Sequence, residues 1–387
     1  MLRALKVLHV ITGLRSGGAE MMLLKLLTEF SHEGDPDGEV LCLSGPGSLE
    51  PRIAALGVQV TNIGMAPGLL AFAKYPRLRR AIAAAKPDIV QCWMYHANLM
   101  GWLALGLRSG PPLVWGLRQS NLDRVRSKKL TILVAHMGAW VSRWAAERIV
   151  CVSGSVRDVH VAMGYDAAKS SVIPNGFDAD QFRPDPVARG SVRAELAVDE
   201  QAILVGLIAR FHPQKDHGVF IAAARMVADQ QPNIVFVLCG EQVDEENQEL
   251  NRMIREAGLG DNVRLLGHRD DIARITASLD LAVSSSAFGE GFPNALGEAL
   301  CCGIPAVATD VGESSVIVGD AGRVVPPEDG PAMAAAMGQI IALDFDDRRA
   351  LGATGRERMI RDYAITAIAR RYRELYREIV SHKRGQS

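Results

Sequence analysis

The sequence predicts two α/β domains, each built on a parallel β-sheet that helices cover on both faces. Short apolar strands alternate with helical stretches along the chain, and a strand–helix–strand order of this kind produces parallel sheets. The strands are continuous runs rich in valine, isoleucine and leucine, which indicates that both of their faces are buried. With 387 residues, the chain exceeds the size that one hydrophobic core usually serves, roughly 250–300 residues. We therefore expect two doubly wound, Rossmann-like domains.

The predicted strands fall into two sets. The strands of the first set cover residues 6–12, 39–44, 58–63, 88–93, 113–117 and 148–153. The strands of the second set cover residues 202–209, 234–240, 263–267, 281–284 and 306–309. Between the sets, residues 173–186 are rich in proline, glycine and aspartate and show no periodic pattern, so we expect the linker between the domains there. The predicted domains are residues 1–180 and 181–365.

A final helix is predicted from about residue 365 to residue 383. Its apolar residues recur in approximate i, i+3, i+4 order, so they share one face of the helix. These residues are Ile368, Tyr372, Leu375, Tyr376 and Ile379.

The composition excludes several classes of protein. Apolar residues make up 48% of the chain and charged residues 22%, which is typical of globular proteins and excludes disordered and fibrous ones. No apolar run approaches the roughly 20 residues of a membrane-spanning helix, and residues 5–14 lack the cleavage pattern of a signal peptide. The six cysteines show neither a zinc-ligand spacing nor a disulfide pattern. We therefore expect a cytoplasmic protein in a reducing compartment.

Charge is distributed unevenly along the chain. Residues 1–180 hold 20 lysines and arginines against 14 acidic residues, whereas residues 181–387 hold 23 against 30. A basic first domain is expected if that domain meets an anionic acceptor or membrane surface. Residues 124–148 combine six cations with two tryptophans and several aliphatic residues, a pattern typical of a helix that lies on anionic lipid. A core-packed helix with a solvated basic end fits the same pattern, and residues 74–80 allow the same two interpretations.

The segment SSSAFGEGFPNALGEALCCGIPAVA, residues 284–308, carries the most informative pattern of the chain. A strand ends in a serine-rich loop, and Pro293 has the fixed backbone angle that suits the first helical position. The free N–H groups of the helix that follows would bind a phosphate. Glu290 and Glu298 flank these groups, and their carboxylates could accept hydrogen bonds from sugar hydroxyls. The segment favours a nucleotide-sugar site, although two unrelated solvated glutamates would give the same spacing.

A second signal is the string RFHPQK, residues 210–215, which directly follows the first strand of the second domain. The forked guanidinium of Arg210 could bind phosphate oxygens, and Lys215 would add a point charge. Two such cations would neutralise a departing diphosphate while the bond to the sugar breaks. A solvated arginine and a solvated lysine on a loop are the alternative.

Residues 284–308 resemble the E-x7-E signature of the retaining glycosyltransferases of family 4, which have the GT-B fold. The resemblance implies that Glu290 lies beside the donor sugar and that Glu298 receives the ribose hydroxyls. It also implies that a run of backbone holds the diphosphate, namely Gly291, Phe292, Pro293, Asn294 and Ala295. The R-x4-K spacing of Arg210 and Lys215 is similar to the diphosphate clamp of the family.

The resemblance extends to the linker and to the C-terminal helix. The start of the linker, IPNG, is similar to the interdomain loop of the family. The resemblance implies a ligand cleft between the two domains. It also implies that the final helix, residues 366–387, crosses back and packs on the first domain.

Two loops of the first domain are candidates for the same site. The string GGAE, which begins with Gly17 and Gly18, is not a complete G-x-G-x-x-G pattern, and it is also what a generic strand-to-helix turn would need. It resembles the family's first loop, which closes over the donor phosphates and the acceptor. His96 is expected to be an active-site group that contacts the donor sugar, although many relatives also carry a histidine where this chain has Trp93, and a structural histidine is the alternative.

His268 follows the third strand of the second domain. The resemblance implies that the backbone at this position contacts the base of the nucleotide. For Asp270 and Asp271, we favour an N-cap of the helix that begins at Ile272 over a role in the site.

No metal site is predicted. Two Asp-x-Asp pairs, residues 178–180 and 344–346, could in principle bind a divalent ion. Neither pair follows the end of a strand, so we interpret both as solvated turns. The two cations of residues 210–215 already supply the charge that a divalent ion would supply.

We therefore expect a retaining, metal-independent hexosyltransferase that uses no cofactor. Its donor would be a nucleoside diphosphate sugar, with UDP as the default base and GDP next. Its acceptor would be a hydroxyl of a polysaccharide or of a lipid-linked oligosaccharide. We expect no nucleic-acid partner, and we expect the basic helices of the first domain to bring the protein to the inner face of the cytoplasmic membrane.

Two alternatives are a nucleotide-sugar 2-epimerase and a catalytically idle nucleotide-sugar-binding subunit. The E-x7-E string speaks against the epimerase, and the presence of both glutamates and both cations speaks against the idle subunit. The sequence leaves the sugar, the base and the linkage open.

Overall fold

The computed structural model describes residues 5–15, 17–32, 38–65, 73–106, 110–119 and 129–385. For residues 384 and 385 it describes the backbone only. The chain forms two compact units. Unit 1 comprises Met1–Gly176 and Ile365–Ser387, and unit 2 comprises Phe177–Ala364. Two α/β units with parallel sheets confirm the predicted fold class.

Unit 1 contains, within the described residues, a seven-stranded parallel sheet of order β3-β2-β1-β4-β5-β6-β7. Its strands are β1 (Val7–Ile11), β2 (Gly38–Cys42), β3 (Gln59–Asn62), β4 (Ile89–Trp93), β5 (Leu113–Leu117), β6 (Arg148–Cys151) and β7 (Ser170–Val172). The helices between them are α1 (Gly18–His32), α2 (Glu50–Ala55), α3 (Tyr75–Ala85), α4 (Met94–Leu105), α5 (Lys129–Ala145) and α6 (Gly154–Met163). The central strands β1, β4 and β5 are buried along their whole length, as their continuous apolar runs predict.

Unit 2 contains, in the part of the chain that is described, a six-stranded parallel sheet of order β10-β9-β8-β11-β12-β13. Its strands are β8 (Ile203–Ile208), β9 (Ile234–Cys239), β10 (Val263–Leu265), β11 (Leu281–Ser284), β12 (Ala306–Thr309) and β13 (Gly322–Val325). Its helices are α7 (Pro186–Glu195), α8 (His217–Ala228), α9 (Gln248–Glu256), α10 (Ile272–Ala277), α11 (Asn294–Cys301), α12 (Ser314–Val318), α13 (Gly330–Ile341) and α14 (Phe345–Tyr363).

The C-terminal helix, α15 (Ile365–Gly385), belongs to the core of unit 1. Four of the five predicted apolar residues are buried there, and the fifth is partly buried against the same core; the buried ones are Ile368, Tyr372, Tyr376 and Ile379. Polar contacts reinforce this packing, because Tyr376 Oη lies 3.2 Å from Gln91 Oε1 on β4. The helix therefore packs on the first domain, as the family resemblance implied.

The boundary between the units differs slightly from the prediction. The division lies between Gly176 and Phe177 rather than at residue 180. Phe177 belongs to unit 2 because its N–H donates to Tyr363 O at 2.8 Å and its ring stacks on Phe292 at 6.0 Å. The return to unit 1 begins at Ile365, which the prediction had assigned to the second domain.

Two strands were absent from the predicted set, β7 and β13. Both lie at the edge of a sheet. β7 is only partly buried along its three residues, and the middle of β13 is exposed. Edge strands of this kind lack the continuous apolar run that reveals a buried strand, so the sequence pattern did not show them.

Each sheet has one point at which the strand order reverses. In unit 1 this switch point lies between β1 and β4, and in unit 2 it lies between β8 and β11. In open parallel sheets, ligands bind beyond the carboxyl ends of the strands at such a point. The loops that follow these four strands are therefore the candidate ligand-binding loops.

Buried His9 makes the stability of unit 1 sensitive to pH. Its ring, on β1, is fully buried, and Nδ1 accepts a hydrogen bond from Trp93 Nε1 at 3.3 Å. Burial lowers the pKa of His9 from 6.5 to about 3. Below pH 6.5, the unfolded chain therefore binds a proton at this residue that the folded chain does not bind, so the free energy of unfolding falls with the pH.

Between pH 7 and pH 5, we expect the free energy of unfolding of the variant His9→Phe to fall by about 2 kcal/mol less than that of the wild-type protein. Urea denaturation followed by tryptophan fluorescence measures it, because all five tryptophans of the chain lie in unit 1. Exposed His32 provides the control, and His32→Phe should keep the wild-type pH dependence. A His9→Phe curve that runs parallel to the wild-type curve would contradict the assignment.

Candidate functional site

The candidate site of unit 2 lies at its switch point, beyond the carboxyl ends of β8 and β11. A small cavity opens there between the two strands and the start of α11. The residues that line it are Leu207, Ile208, Ala209, Lys215, Val283, Ser284, Ser285, Ser286, Pro293, Asn294 and Ala295. The structure thus brings Lys215 next to the helix N-terminus that the sequence predicted as a phosphate site.

The loop after β8 is shaped by local capping interactions. Residues 213–215 form a short 3-10 turn, and the ring of His212 accepts a hydrogen bond from Gln214 N at 3.2 Å. Asp216 then adopts a left-handed backbone conformation with φ of 45° and caps α8 by accepting from Val219 N at 3.1 Å. These contacts fix where the chain turns into α8, and thereby the position of the Lys215 side chain.

Two hydrogen bonds join this loop to the loop after β11. Ala287 N donates to Gln214 O at 2.9 Å. Ser285 Oγ donates to Lys215 O at 2.7 Å. These hydrogen bonds to two backbone carbonyl groups therefore hold the loop that carries Lys215 next to the loop that carries Glu290.

Glu290 is a buried carboxylate with two partners. Its Oε1 accepts from the Lys215 ammonium in an ion pair and from Ser286 Oγ at 2.8 Å. Burial by itself would raise the pKa of Glu290, but the charge and hydrogen bond of Lys215, the Ser286 hydroxyl and the charge of Arg210 outweigh it, so the pKa is lowered. Glu290 is therefore ionised at neutral pH.

The backbone of Glu290 is fixed by the loop after β12. Gly312 has φ of 64°, and a Cβ at this position would lie 2.0 Å from Glu290 O. The Thr309 hydroxyl donates to Ser286 O at 2.6 Å. Only a glycine lets the two loops approach this closely.

Helix α11 begins at Asn294, and Pro293 occupies the N-cap position with φ of −73° and ψ of 106°. The prediction had placed this proline at the first helical position. The N-cap residue makes no side-chain capping hydrogen bond, and the positive end of the helix dipole lies at the cavity. Glu298 lies one turn further along, on the same partly exposed face as Asn294.

The opposite side of α11 is packed tightly. A Cβ on Gly297 would lie 2.1 Å from Cζ of Phe177. Phe292 is buried against the same ring, and Gly291 before it is buried as well. Cys301 and Cys302 are buried behind the helix, and all six cysteines of the chain are buried free thiols.

Arg210 lies at the exposed edge of the same site. Its charge contributes to lowering the pKa of Glu290. The pKa of His212 is lowered as well, first by burial and then by the charges of Arg210 and Lys215. Two cations, Arg210 and Lys215, therefore act on the buried Glu290 carboxylate beyond the carboxyl ends of β8 and β11.

The structure places His268 away from these residues. It follows β10, which is separated from β8 by β9, and its side chain is 60% exposed with Nε2 3.8 Å from Asp270 Oδ1. Gly267 before it has φ of 62°.

The N-cap prediction for the aspartates after His268 is wrong for their side chains. Helix α10 does begin at Ile272, but Asp271 makes no capping hydrogen bond. Its carboxylate instead accepts from Arg269 Nε at 2.8 Å and from Arg274 Nη1 at 2.9 Å, and the hydrogen bond from Arg269 lowers its pKa. The side chain of Asp270 is fully exposed.

In unit 1, the structure places Gly17, Gly18 and His96 at the switch point of that sheet. Gly18 is the first residue of α1, and Gly17 O accepts from Met21 N at 2.9 Å. A Cβ on Gly17 would lie 2.4 Å from a carboxylate oxygen of Glu20, at the flexible end of that side chain. His96 is partly buried in the first turn of α4, which directly follows β4.

The sequence analysis missed a cluster around Arg118, directly after β5. The guanidinium lies 4.6 Å from the ring of buried Trp93. Its Nη2 donates to Tyr372 Oη at 2.6 Å, and its Nη1 donates to Asn175 Oδ1. Trp93 therefore serves as the packing surface for a cation at the carboxyl edge of the sheet. The position of an arginine one residue beyond a predicted strand is the signal that could have found it.

The two Asp-x-Asp pairs act as local caps. Asp178 Oδ1 accepts from Asp180 N and from Gln181 N, each at 2.9 Å. Asp344 caps α14 by accepting from Asp347 N at 2.8 Å. Among the residues that the structure describes, no group of three or more histidine, cysteine or acidic side chains is arranged to hold a metal ion.

Comparisons with known proteins follow the same division of the chain. Residues 16–181 match the family described as Glycosyltransferase Family 4, and residues 202–342 match the family described as Glycosyl transferases group 1. The chain is 30% identical over 319 residues to alpha-maltose-1-phosphate synthase of Mycolicibacterium smegmatis, and the match covers 76% of this chain and 80% of that protein.

The chain is also similar to a further relative and to a solved structure. The chain is 25% identical over 248 residues to UDP-Gal:alpha-D-GlcNAc-diphosphoundecaprenol alpha-1,3-galactosyltransferase of Escherichia coli, and the match spans only 62% of the length of that relative. The crystal structure of Anabaena HepE in complex with UDP has the same fold, with a TM-score of 0.83 at 22% identity over 97% of this chain and 100% of that one. The chain therefore belongs to glycosyltransferase family 4 and has its GT-B fold of two Rossmann-like units.

Proposed function

We propose that the protein is a retaining glycosyltransferase that moves a hexose from a nucleoside diphosphate sugar to a hydroxyl of a glycan or of a lipid-linked oligosaccharide. One observation carries this proposal. The ion pair of Lys215 and Glu290 lies beside the uncapped N-terminus of α11, at the switch point of the sheet in unit 2. Cations and the positive end of a helix dipole suit a diphosphate, and a buried carboxylate suits a sugar hydroxyl.

Each group of the site has a distinct role in this proposal. The N–H groups at the start of α11 and the cations Arg210 and Lys215 bind the diphosphate. Glu298, one turn along the helix, accepts hydrogen bonds from the ribose hydroxyls. Glu290 accepts a hydrogen bond from the donor sugar. The N-terminal loop at Gly17 and Gly18, His96, and the backbone at His268 complete the proposed contacts.

The proposed reaction takes place on one face of the sugar. The bond between the anomeric carbon and the phosphate oxygen breaks, and the bond to the acceptor oxygen forms on the same side. The acceptor hydroxyl gives its proton to the departing phosphate, so no covalent nucleophile is needed. Arg210 and Lys215 stabilise the negative charge that grows on the diphosphate, and we propose that they make a divalent metal ion unnecessary.

The relatives support UDP as the nucleotide of the donor and a lipid-linked acceptor. The Escherichia coli relative is named for UDP-Gal and for a diphosphoundecaprenol-linked acceptor, and HepE was solved with UDP. We propose that this protein works at the cytoplasmic face of the membrane as a peripheral protein. None of the relatives described above is named as an epimerase, and turnover distinguishes the enzyme from an idle nucleotide-binding subunit.

The first test is a thermal-shift screen against UDP, GDP, ADP and their common sugars, with and without EDTA. We expect UDP and UDP-sugars to raise the melting temperature, because a ligand that binds only the folded state stabilises it. EDTA should leave the shift unchanged. A shift that disappears with EDTA would refute metal independence, and no shift with any nucleotide would refute the donor site.

The variant Lys215→Ala should lower kcat by about 10²–10³-fold while donor affinity changes only a few-fold, because its interaction strengthens as charge develops on the diphosphate. Steady-state kinetics and calorimetry with the donor measure the two effects. The double variant Lys215→Ala/Glu290→Gln controls for the buried carboxylate that Lys215→Ala leaves without its ammonium partner. Exposed Arg252→Ala is the control for loss of a charge in unit 2. Equal losses in kcat and donor affinity would remove the leaving-group role.

The variant Glu298→Ala should weaken UDP and the UDP-sugar alike, by about ten-fold or more, because hydrogen bonds to a charged group are among the stronger ones. The wild-type protein should also bind 2′-deoxy-UDP or 3′-deoxy-UDP more weakly than UDP. The variant Glu298→Ala should bind at least one of these two deoxy nucleotides as well as it binds UDP. Exposed Glu249→Ala is the matched control on α9. Unchanged affinity of Glu298→Ala for UDP would remove Glu298 from the ribose.

A further inference from the structure

Helix α5 of unit 1 exposes an apolar face. Five large apolar side chains recur every three or four residues along it and are exposed, so they share one side of the helix. These residues, which we call the outer face of α5, are Leu130, Leu133, Met137, Trp140 and Trp144. The two tryptophans are the most exposed of them, at 72% and 61%. An apolar stripe of this kind marks an interaction surface.

The outer face is not needed to pack the helix. The inner side of α5 is already buried through small and aliphatic residues, among them Val134, Ala135 and Val141. Tyr165 closes the contact, because its hydroxyl donates to Ala135 O at 3.0 Å and lies 2.5 Å from where a Cβ on Gly138 would be. A helix with one buried side normally carries polar residues on the other. The core of unit 1 therefore does not explain the outer face.

The polar groups on the exposed side of α5 are basic. The helix contains no aspartate or glutamate, and its exposed polar side chains are Lys129, His136 and Arg143. The Arg143 guanidinium lies 5.4 Å from the ring of Trp144, which packs edge-on against Trp140 at 5.8 Å. Tryptophan and arginine side by side suit the headgroup region of a bilayer, where an apolar ring and a cation are both solvated well.

We propose that the outer face of α5 lies in the surface of an anionic phospholipid bilayer, with the helix axis in the membrane plane. With 17 residues, α5 is shorter than the roughly 20 residues that span a bilayer. Within the described part of the chain, no helix is both long and apolar enough to cross a membrane. Apolar side chains enter the boundary between headgroups and acyl chains, and the basic side chains neutralise lipid phosphates.

Charge favours a bilayer over a second copy of this chain. A twofold interface through the outer face would bring the same face of two molecules together. Lys129 and Arg143 of one copy would then meet the same cations of the other, and α5 offers no carboxylate to pair with them. Anionic lipid supplies the opposite charge along the whole stripe.

The topology of unit 1 gives this surface a role. α5 connects β5 to β6, so its N-terminal end lies at the carboxyl edge of the sheet, where β5 ends. Gly17, His96 and Arg118 lie at that same edge. A bilayer that holds α5 would thus be close to the edge at which Gly17 and His96 are proposed to contact the substrates. This inference rests on the proposed function and deepens it toward an acceptor anchored in lipid.

The test is binding of the full-length protein to vesicles of phosphatidylcholine alone and of phosphatidylcholine mixed with phosphatidylglycerol. We expect sedimentation with the anionic vesicles only, accompanied by a blue shift of tryptophan fluorescence. The double variant Trp140→Ser/Trp144→Ser should bind about ten-fold more weakly or worse, because each buried tryptophan contributes a large apolar area. The matched control is Val187→Ser/Phe345→Ser, which removes two exposed apolar side chains of unit 2.

The outcomes separate this proposal from the proposed function. Wild-type protein that fails to bind anionic vesicles overturns the membrane surface, as does a tryptophan double variant that binds like the control. A dimer in solution that the tryptophan double variant dissolves would assign the outer face to a second copy instead. Vesicle binding is measured without nucleotide, and the thermal shift with UDP is measured without lipid, so either result can fail while the other stands.

Discussion

The structure of the candidate site depends on one partly buried ion pair, between Lys215 and Glu290. A carboxylate that loses its water needs a partner of opposite charge, because a buried charge without one is strongly destabilising. The pair joins the loop after β8 to the loop after β11, which are far apart in sequence and adjacent only through the strand order of the sheet. The sheet places the two loops side by side, and the ion pair joins them together with the hydrogen bonds from Ala287 N and Ser285 Oγ.

The same pair explains why the site is ready for an anion. While Lys215 neutralises Glu290, the N-terminus of α11 and Arg210 still present positive potential to the cavity between the strands. A diphosphate that enters this cavity would compete with Glu290 for the lysine. The carboxylate that is then released has a buried hydrogen-bond partner in Ser286, and it can turn to a sugar hydroxyl. Lys215 would thus pair with Glu290 while the site is empty and with the diphosphate while the site is occupied.

The sequence predicted those parts of the molecule that depend on local or periodic signals. Buried central strands, the amphipathic final helix and the proline–asparagine turn before α11 all follow from a few neighbouring residues. The edge strands β7 and β13 escaped because a half-exposed strand has no continuous apolar run. Asp271 was assigned as a cap because its position suits one, but two arginines, one of them before α10 and one within it, attract its carboxylate more strongly. Arg118 escaped because its partners, Asn175 and Tyr372, are distant in the chain.

The placement of α15 has a consequence for how the protein is made. A ribosome delivers Phe177–Ala364 as one continuous stretch, so unit 2 can complete its sheet and its core as soon as that stretch has emerged. The first part of unit 1 is synthesised before that stretch, but Tyr372 and Tyr376 can pack beside Trp93 and Gln91 only after α15 has been synthesised. The side of unit 1 on which α15 packs in the folded protein is therefore covered by this helix only after unit 2 has been synthesised. Apolar surface that stays uncovered during that time makes a folding intermediate prone to aggregate.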